Sequence, residues 1–110
     1  MPSRGFRERL QDILIEIEEI QGMVKELSFE DFCQDRRTIK ASLYGLAVIG
    51  EASANLLPEV AKLYPQIPWR QMRGMRNIAV HEYFQVDLEI IWETIQTDLP
   101  GLYSALKELI

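Results

Sequence analysis

Cys33 and His81 are the chain's only cysteine and only histidine. A lone thiol closes no disulfide framework and builds no cysteine zinc site, so a structural transition-metal site is not expected. No residue pattern calls for a metal or an organic cofactor. No apolar run approaches the roughly 20 residues of a bilayer span. The opening residues, Met1-Pro2-Ser3-Arg4-Gly5-Phe6-Arg7, lack the apolar stretch of a signal peptide. Together these absences give the expectation of a cytoplasmic protein. Strand-like alternation, internal repeats and low-complexity tracts are also missing. Positive charge is scarce, with 12 Lys and Arg against 17 Asp and Glu and a net charge of −5. Broad, nonspecific nucleic-acid binding rests on many cationic phosphate contacts and does not suit such a chain. Any RNA site must be a local basic patch.

What is present describes an ordinary globular chain: 110 residues, 47% apolar and 26% charged. Residues 1–110 read as one domain, large enough for a core and small enough to benefit from a partner subunit. Phe6, Leu10, Ile13, Leu14, Ile17, Ile20, Val24 and Leu27 recur at the helical period, predicting an amphipathic helix from Arg4 to Leu27. Ser28, with Asp31 three residues on, has the form of a capping box. A second long helix is expected from Arg36 to Leu57. From Leu43 onward it is apolar nearly all round, so it is buried centrally or shared between core and a subunit interface. Gly50, Ala52 and Ala54 would let another helix approach closely, which is compatible with a homodimer or with a central core helix. Pro58 opens a short helix ending near Tyr64-Pro65, and Pro68 begins another at its first turn. Gly74, inside that helix, costs about 1 kcal/mol relative to Ala and implies close packing there. The stretch from Asp87 to Ile110 is expected to be helical, broken or kinked at Pro100. The fold class is all-α, an antiparallel bundle of four to six helices.

The chemistry-bearing segment is Arg76-Asn77-Ile78-Ala79-Val80-His81-Glu82-Tyr83. Histidine can trade protons near neutral pH. Arginine is always charged and offers a planar fork of donors suited to phosphate. The pair suffices to cut RNA without a metal. The imidazole moves protons to or from the ribose 2′-OH and the leaving oxygen, and the guanidinium steadies the anionic phosphorane. Five residues of ideal helix rotate about 140°, so Arg76 and His81 would project from different sides. A joint site needs the helix to bend or end near Val80–His81, long side chains reaching around, or two subunits. Asn77 shares the face of His81 and can orient it, orient substrate, or simply lie on the surface. Two basic clusters are candidates for RNA contact: Arg36, Arg37 and Lys40, read as a solvated helix face, and Arg70, Arg73 and Arg76 beside His81. Trp69, Phe84 and Trp92 fit a core better than a base-stacking platform.

The motif's surroundings are more specific than its spacing. Ile67-Pro68-Trp69-Arg70-Gln71-Met72-Arg73-Gly74-Met75-Arg76-Asn77 leads into it and Phe84-Gln85-Val86-Asp87 follows. Ile49-Gly50-Glu51-Ala52 lies upstream, with Ile91-Trp92-Glu93 and Asp98-Leu99-Pro100 downstream. In this order, over essentially the whole chain, they resemble the HepT-like (DUF86) proteins of the HEPN superfamily. The resemblance implies a ribonuclease toxin of a toxin–antitoxin pair whose R-x4-H-x-Y motifs face each other across a homodimer cleft. It implies Arg76 and His81 as catalytic residues and places Glu51 near the motif arginine, where it would hold the guanidinium. A Glu51 that simply faces water is the competing reading. Arg70 and Arg73 would extend an RNA cradle, for transfer RNA or messenger RNA. Tyr83 matches the tyrosine that a partner minimal nucleotidyltransferase, the antitoxin, modifies by adenylylation, adding anionic bulk beside the site.

Two other functions compete. One is a catalytically inactive HEPN-type module that binds a nucleotidyltransferase, which suits the net acidic charge. The other is a plain dimerisation domain, in which Arg76, His81 and Tyr83 can each be replaced without consequence.

Overall fold

Apolar residues three and four apart organise the first helix. The computed structural model describes residues 5–56, 58–81 and 87–110, with the backbone alone for residues 59 and 78–81. α1 (Phe6–Val24) buries Leu10, Ile13, Leu14, Ile17, Ile20 and Val24, the stripe set by the 3.6-residue period. Phe6 is partly buried and stacks on Tyr64 with 5.6 Å between ring centroids. The helix stops at Val24 rather than Leu27, because the Leu27 N–H turns back to the Val24 carbonyl.

α2 (Phe29–Gln34) starts on the capping box. The Ser28 hydroxyl accepts from the Asp31 N–H, and the Asp31 carboxylate accepts from the Ser28 N–H, both at 3.1 Å. Phe32 is fully buried, its ring 5.1 Å from that of Trp92. α3 (Arg36–Ala54) is capped by Asp35, a cap the sequence reading did not find. The Asp35 carboxylate accepts from the Thr38 hydroxyl at 2.7 Å and from the Thr38 N–H at 3.0 Å. Those bonds, the hydroxyl's first, favour the ionised form and hold its pKa below the ordinary aspartate value.

α3 is central because helices pack on two sides of it, α1 on one and α5 (Trp69–His81) on the other. It buries Leu46, Ile49 and Ala52. Each contact has a glycine. A Cβ on Gly45 would lie 2.6 Å from Ile20 Cδ1, and one on Gly50 would lie 2.5 Å from the Arg76 backbone nitrogen. The helix that comes close at Gly50 thus belongs to the same chain. Tyr44, by contrast, is 68% exposed.

α4 (Glu59–Leu63) follows Pro58 and ends at Tyr64. α5 begins directly after Pro68, whose carbonyl accepts from the Met72 N–H at 3.0 Å. It buries Trp69, Met72 and Met75, and the Trp69 indole N–H donates to the Tyr64 carbonyl at 2.9 Å. Satisfying that N–H is what lets a tryptophan be core. The expectation of close packing at Gly74 finds no support: among the described residues a Cβ there would meet nothing within 4 Å.

α6 (Leu88–Glu93), a π-helical turn (Thr94–Asp98) and α7 (Leu99–Lys107) follow one another without interruption. The expected break at Pro100 takes the form of that widened turn. The Leu99 N–H reaches back five residues to the Thr94 carbonyl. Pro100 then falls in the first turn of α7, where a missing N–H costs little. Ile91, Ile95, Leu99, Leu102 and Leu106 close the core from this arm. Counting it as one, the described residues form six helical bodies and no strand, so the fold is all-α. No helix among the described residues is long and apolar enough to cross a membrane.

Candidate active site

α5 presents two unlike faces. Trp69, Met72 and Met75 point into the core, while Arg70, Gln71, Arg73 and Asn77 are exposed. At 100° per residue, positions 70, 73 and 77 fall within about 60° of one another. The register carries position 81 onto the same line. Arg76 lies about 140° from position 81, on the packed side of the helix near the azimuth of Trp69. A charged residue can sit there because Gly50 vacates the space where α3 would otherwise block it.

Glu51, the next residue of α3, meets the guanidinium. Arg76 Nη1 donates to Glu51 Oε1 at 2.6 Å, a short charge-assisted bond. The side chains are 43% and 56% exposed respectively. A pair that open to water contributes about 0–1 kcal/mol to stability. Its consequence is therefore geometric: it fixes one corner of a guanidinium that has five N–H donors. Glu51 lies in the last turn of α3, where the Asn55 N–H and side-chain amide both donate to its backbone carbonyl, the amide at 2.9 Å.

Of the residues singled out from the sequence, the structure thus brings Arg76 and Glu51 together. It lines Arg70, Arg73 and Asn77 along the outer face of the same helix. The α5 backbone is helical through His81, whose side chain lies outside the described residues. Tyr83 and Phe84 also lie outside them. Arg36, Arg37 and Lys40 are exposed at the start of α3, as a solvated face should be. Trp69 is buried, and Trp92 packs on Phe29 and Phe32. The residue whose role at the site was missed is Gly50. A glycine beside the only carboxylate in an apolar helix was its signal, but the pattern does not reveal which neighbour comes close.

An exposed guanidinium pinned at one corner, an arginine stripe beside it, and a histidine on the same helix suit binding and cleavage of a phosphodiester. Comparison with known proteins gives the family. The family model described as "Ribonuclease HepT-like" matches residues 13–109. A probable ribonuclease HepT of Thermococcus cleftensis is 40% identical over 106 residues, covering 96% of both chains. A protein of Caldanaerobacter subterraneus subsp. tengcongensis, provisionally named an RNase, is 41% identical over 94% of this chain and 93% of its own. Another such protein, from Methanocaldococcus jannaschii, is 36% identical over 100% of this chain and 91% of its own. The chain belongs to the ribonuclease HepT-like family. No solved structure matches it.

Proposed function

We propose that the protein is a metal-independent endoribonuclease, the toxin of a toxin–antitoxin pair, with Arg76 and His81 as its catalytic residues. The observation that carries this reading is the Arg76 guanidinium, exposed and tied to Glu51 at 2.6 Å on the helix that also carries His81. In the reaction the ribose 2′ oxygen attacks phosphorus and the bond to the 5′ oxygen breaks. His81 takes the proton from the 2′-OH or returns one to the departing oxygen. Arg76 binds the scissile phosphate and stabilises the charge that builds on its oxygens. The products are a 2′,3′-cyclic phosphate and a 5′-hydroxyl.

The 140° between positions 76 and 81 favours a site shared between the two subunits of a homodimer, Arg76 from one facing His81 of the other. Arg70 and Arg73 extend the cradle along α5, and Asn77 orients His81 or the substrate. The substrate is transfer RNA or messenger RNA in the cytoplasm. Adenylylation of Tyr83 by a minimal nucleotidyltransferase antitoxin places a negative phosphate against this patch, repelling RNA. The net charge of −5 also fits a second reading, in which the chain is an inactive HEPN-type module that binds the nucleotidyltransferase. The deciding experiment is cleavage of a mixed transfer and messenger RNA pool in EDTA, by protein of confirmed unmodified mass. Cyclic-phosphate ends that vanish with His81→Ala support the nuclease. Intact RNA after incubation with unmodified dimer supports the binding module.

A further inference from the structure

We infer that Gly50 and Glu51 form one positioning unit for Arg76, Gly50 setting its backbone and Glu51 its guanidinium. This rests on the nuclease reading for its functional meaning, though not for its geometry. A Cβ on Gly50 would lie 2.5 Å from Arg76 N, 2.6 Å from Arg76 Cβ and 3.0 Å from Arg76 Cα. All three atoms belong to one residue, and two of them are backbone, which no rotamer change can move. α3 therefore touches α5 at the catalytic arginine itself rather than at a neighbouring core side chain. One residue further along α3, the Glu51 carboxylate takes Nη1 at 2.6 Å. The two contacts hold the arginine at both ends of its side chain. A long, flexible cation is thereby placed before any phosphate arrives, with donors besides Nη1 left to receive it.

The contact at Gly50 differs from the other glycine positions in meeting backbone. Gly74 shows that α5 tolerates a glycine with no neighbour within 4 Å, and Gly45 meets the movable end of Ile20. Restoring ordinary contact distance at Gly50 with a Cβ present requires α5 to withdraw by about 0.9 Å. Misplacement of about 1 Å at a reacting group costs on the order of 100-fold in rate.

The test has two arms. In single-turnover cleavage at saturating RNA, Gly50→Ala is expected to be about 100-fold slower, with RNA affinity changed far less, while Gly45→Ala stays near wild type. Gly50→Ala added to Arg76→Lys should cost far less than in the wild-type background, because the arginine through which it chiefly acts is already gone. Additive losses would mean general structural damage and overturn the proposal, as would wild-type rates in Gly50→Ala. Glu51→Gln, which adds no bulk and so keeps the fold, should cleave about tenfold more slowly. The second arm needs no RNA. In protein labelled with 15N-arginine, the Arg76 Nη signals, assigned with Arg76→Lys, should show hindered rotation. In Glu51→Gln and Gly50→Ala they should average. Free rotation in the wild type overturns the positioning unit. A wild type that cuts no RNA but shows the hindered signals defeats the nuclease reading alone.

Discussion

Gly45 and Gly50 stand five residues apart on α3, and each lets another helix come close. Against Gly45 the nearest atoms to a Cβ are Cδ1 and Cγ1 of Ile20, at 2.6 and 3.0 Å, on a buried side chain of α1. Against Gly50 it is the backbone nitrogen of Arg76 on α5. An added methyl at the first position presses on a side chain, whose end can shift, and at the second on backbone, which yields only by moving a helix. The α1–α3 contact is thus a core that can adjust. The α3–α5 contact is a fixed mount, and what it mounts is the arginine of the candidate site. Both contacts bury apolar surface, so the difference lies in what the glycine faces rather than in how much the helices bury.

The largest effect should appear when both glycines are filled and thermal unfolding is followed by circular dichroism. Overpacking at Gly50 is expected to cost about 1–3 kcal/mol, lowering Tm by several degrees. At Gly45 Ile20 can give way, and the better helix propensity of alanine, about 1 kcal/mol, offsets what remains. Equal losses at the two positions would remove the distinction. A smaller change should follow from Thr38→Val, at the start of α3 and away from both glycines. It takes away the largest of the interactions that hold the Asp35 pKa down. A carboxylate whose pKa is lower folded than unfolded stabilises fully above its unfolded value, about 3.9. That contribution disappears as pH falls through the folded value. The Tm difference between wild type and Thr38→Val should therefore be widest near pH 7 and shrink below about pH 4. RNA cleavage at neutral pH should be untouched. The smallest stability effect should be that of Glu51→Gln, because an ion pair with side chains 43% and 56% exposed contributes about 0–1 kcal/mol. A large loss of Tm there would mean that Glu51 holds the fold rather than the arginine.

The same two glycines show how far the sequence could be read. Local chemistry was legible: the stripe along α1, the Ser28–Asp31 capping box, and the helices opened by Pro58 and Pro68 follow from residues within a turn or two of one another. Partners were not. That α3 is apolar nearly all round says it is buried, without saying that α1 and α5 are what cover it. A glycine in each of two helices gave no means of telling that Gly50 faces a backbone while Gly74 faces open space. Close packing is what a helical glycine suggests at Gly74, where there is none among the described residues. Pro100 was legible as a disturbance, and its form was not: the arm widens into a π turn before it and stays helical. At the site, the angle between positions 76 and 81 follows from helix geometry alone. The contact that fixes Arg76 depends on a helix 25 residues earlier in the chain, and only the folded structure brings it there.

The central claim is that Arg76 and His81 act together in one RNA-cleaving site shared between subunits. The most direct measurement is RNA cleavage by co-expressed Arg76→Ala and His81→Ala chains, each tagged so that the mixed dimer can be isolated. A shared site leaves one intact Arg76–His81 pair in that dimer, so activity should return well above that of either parent. A mixed dimer as inactive as its parents would contradict the shared site.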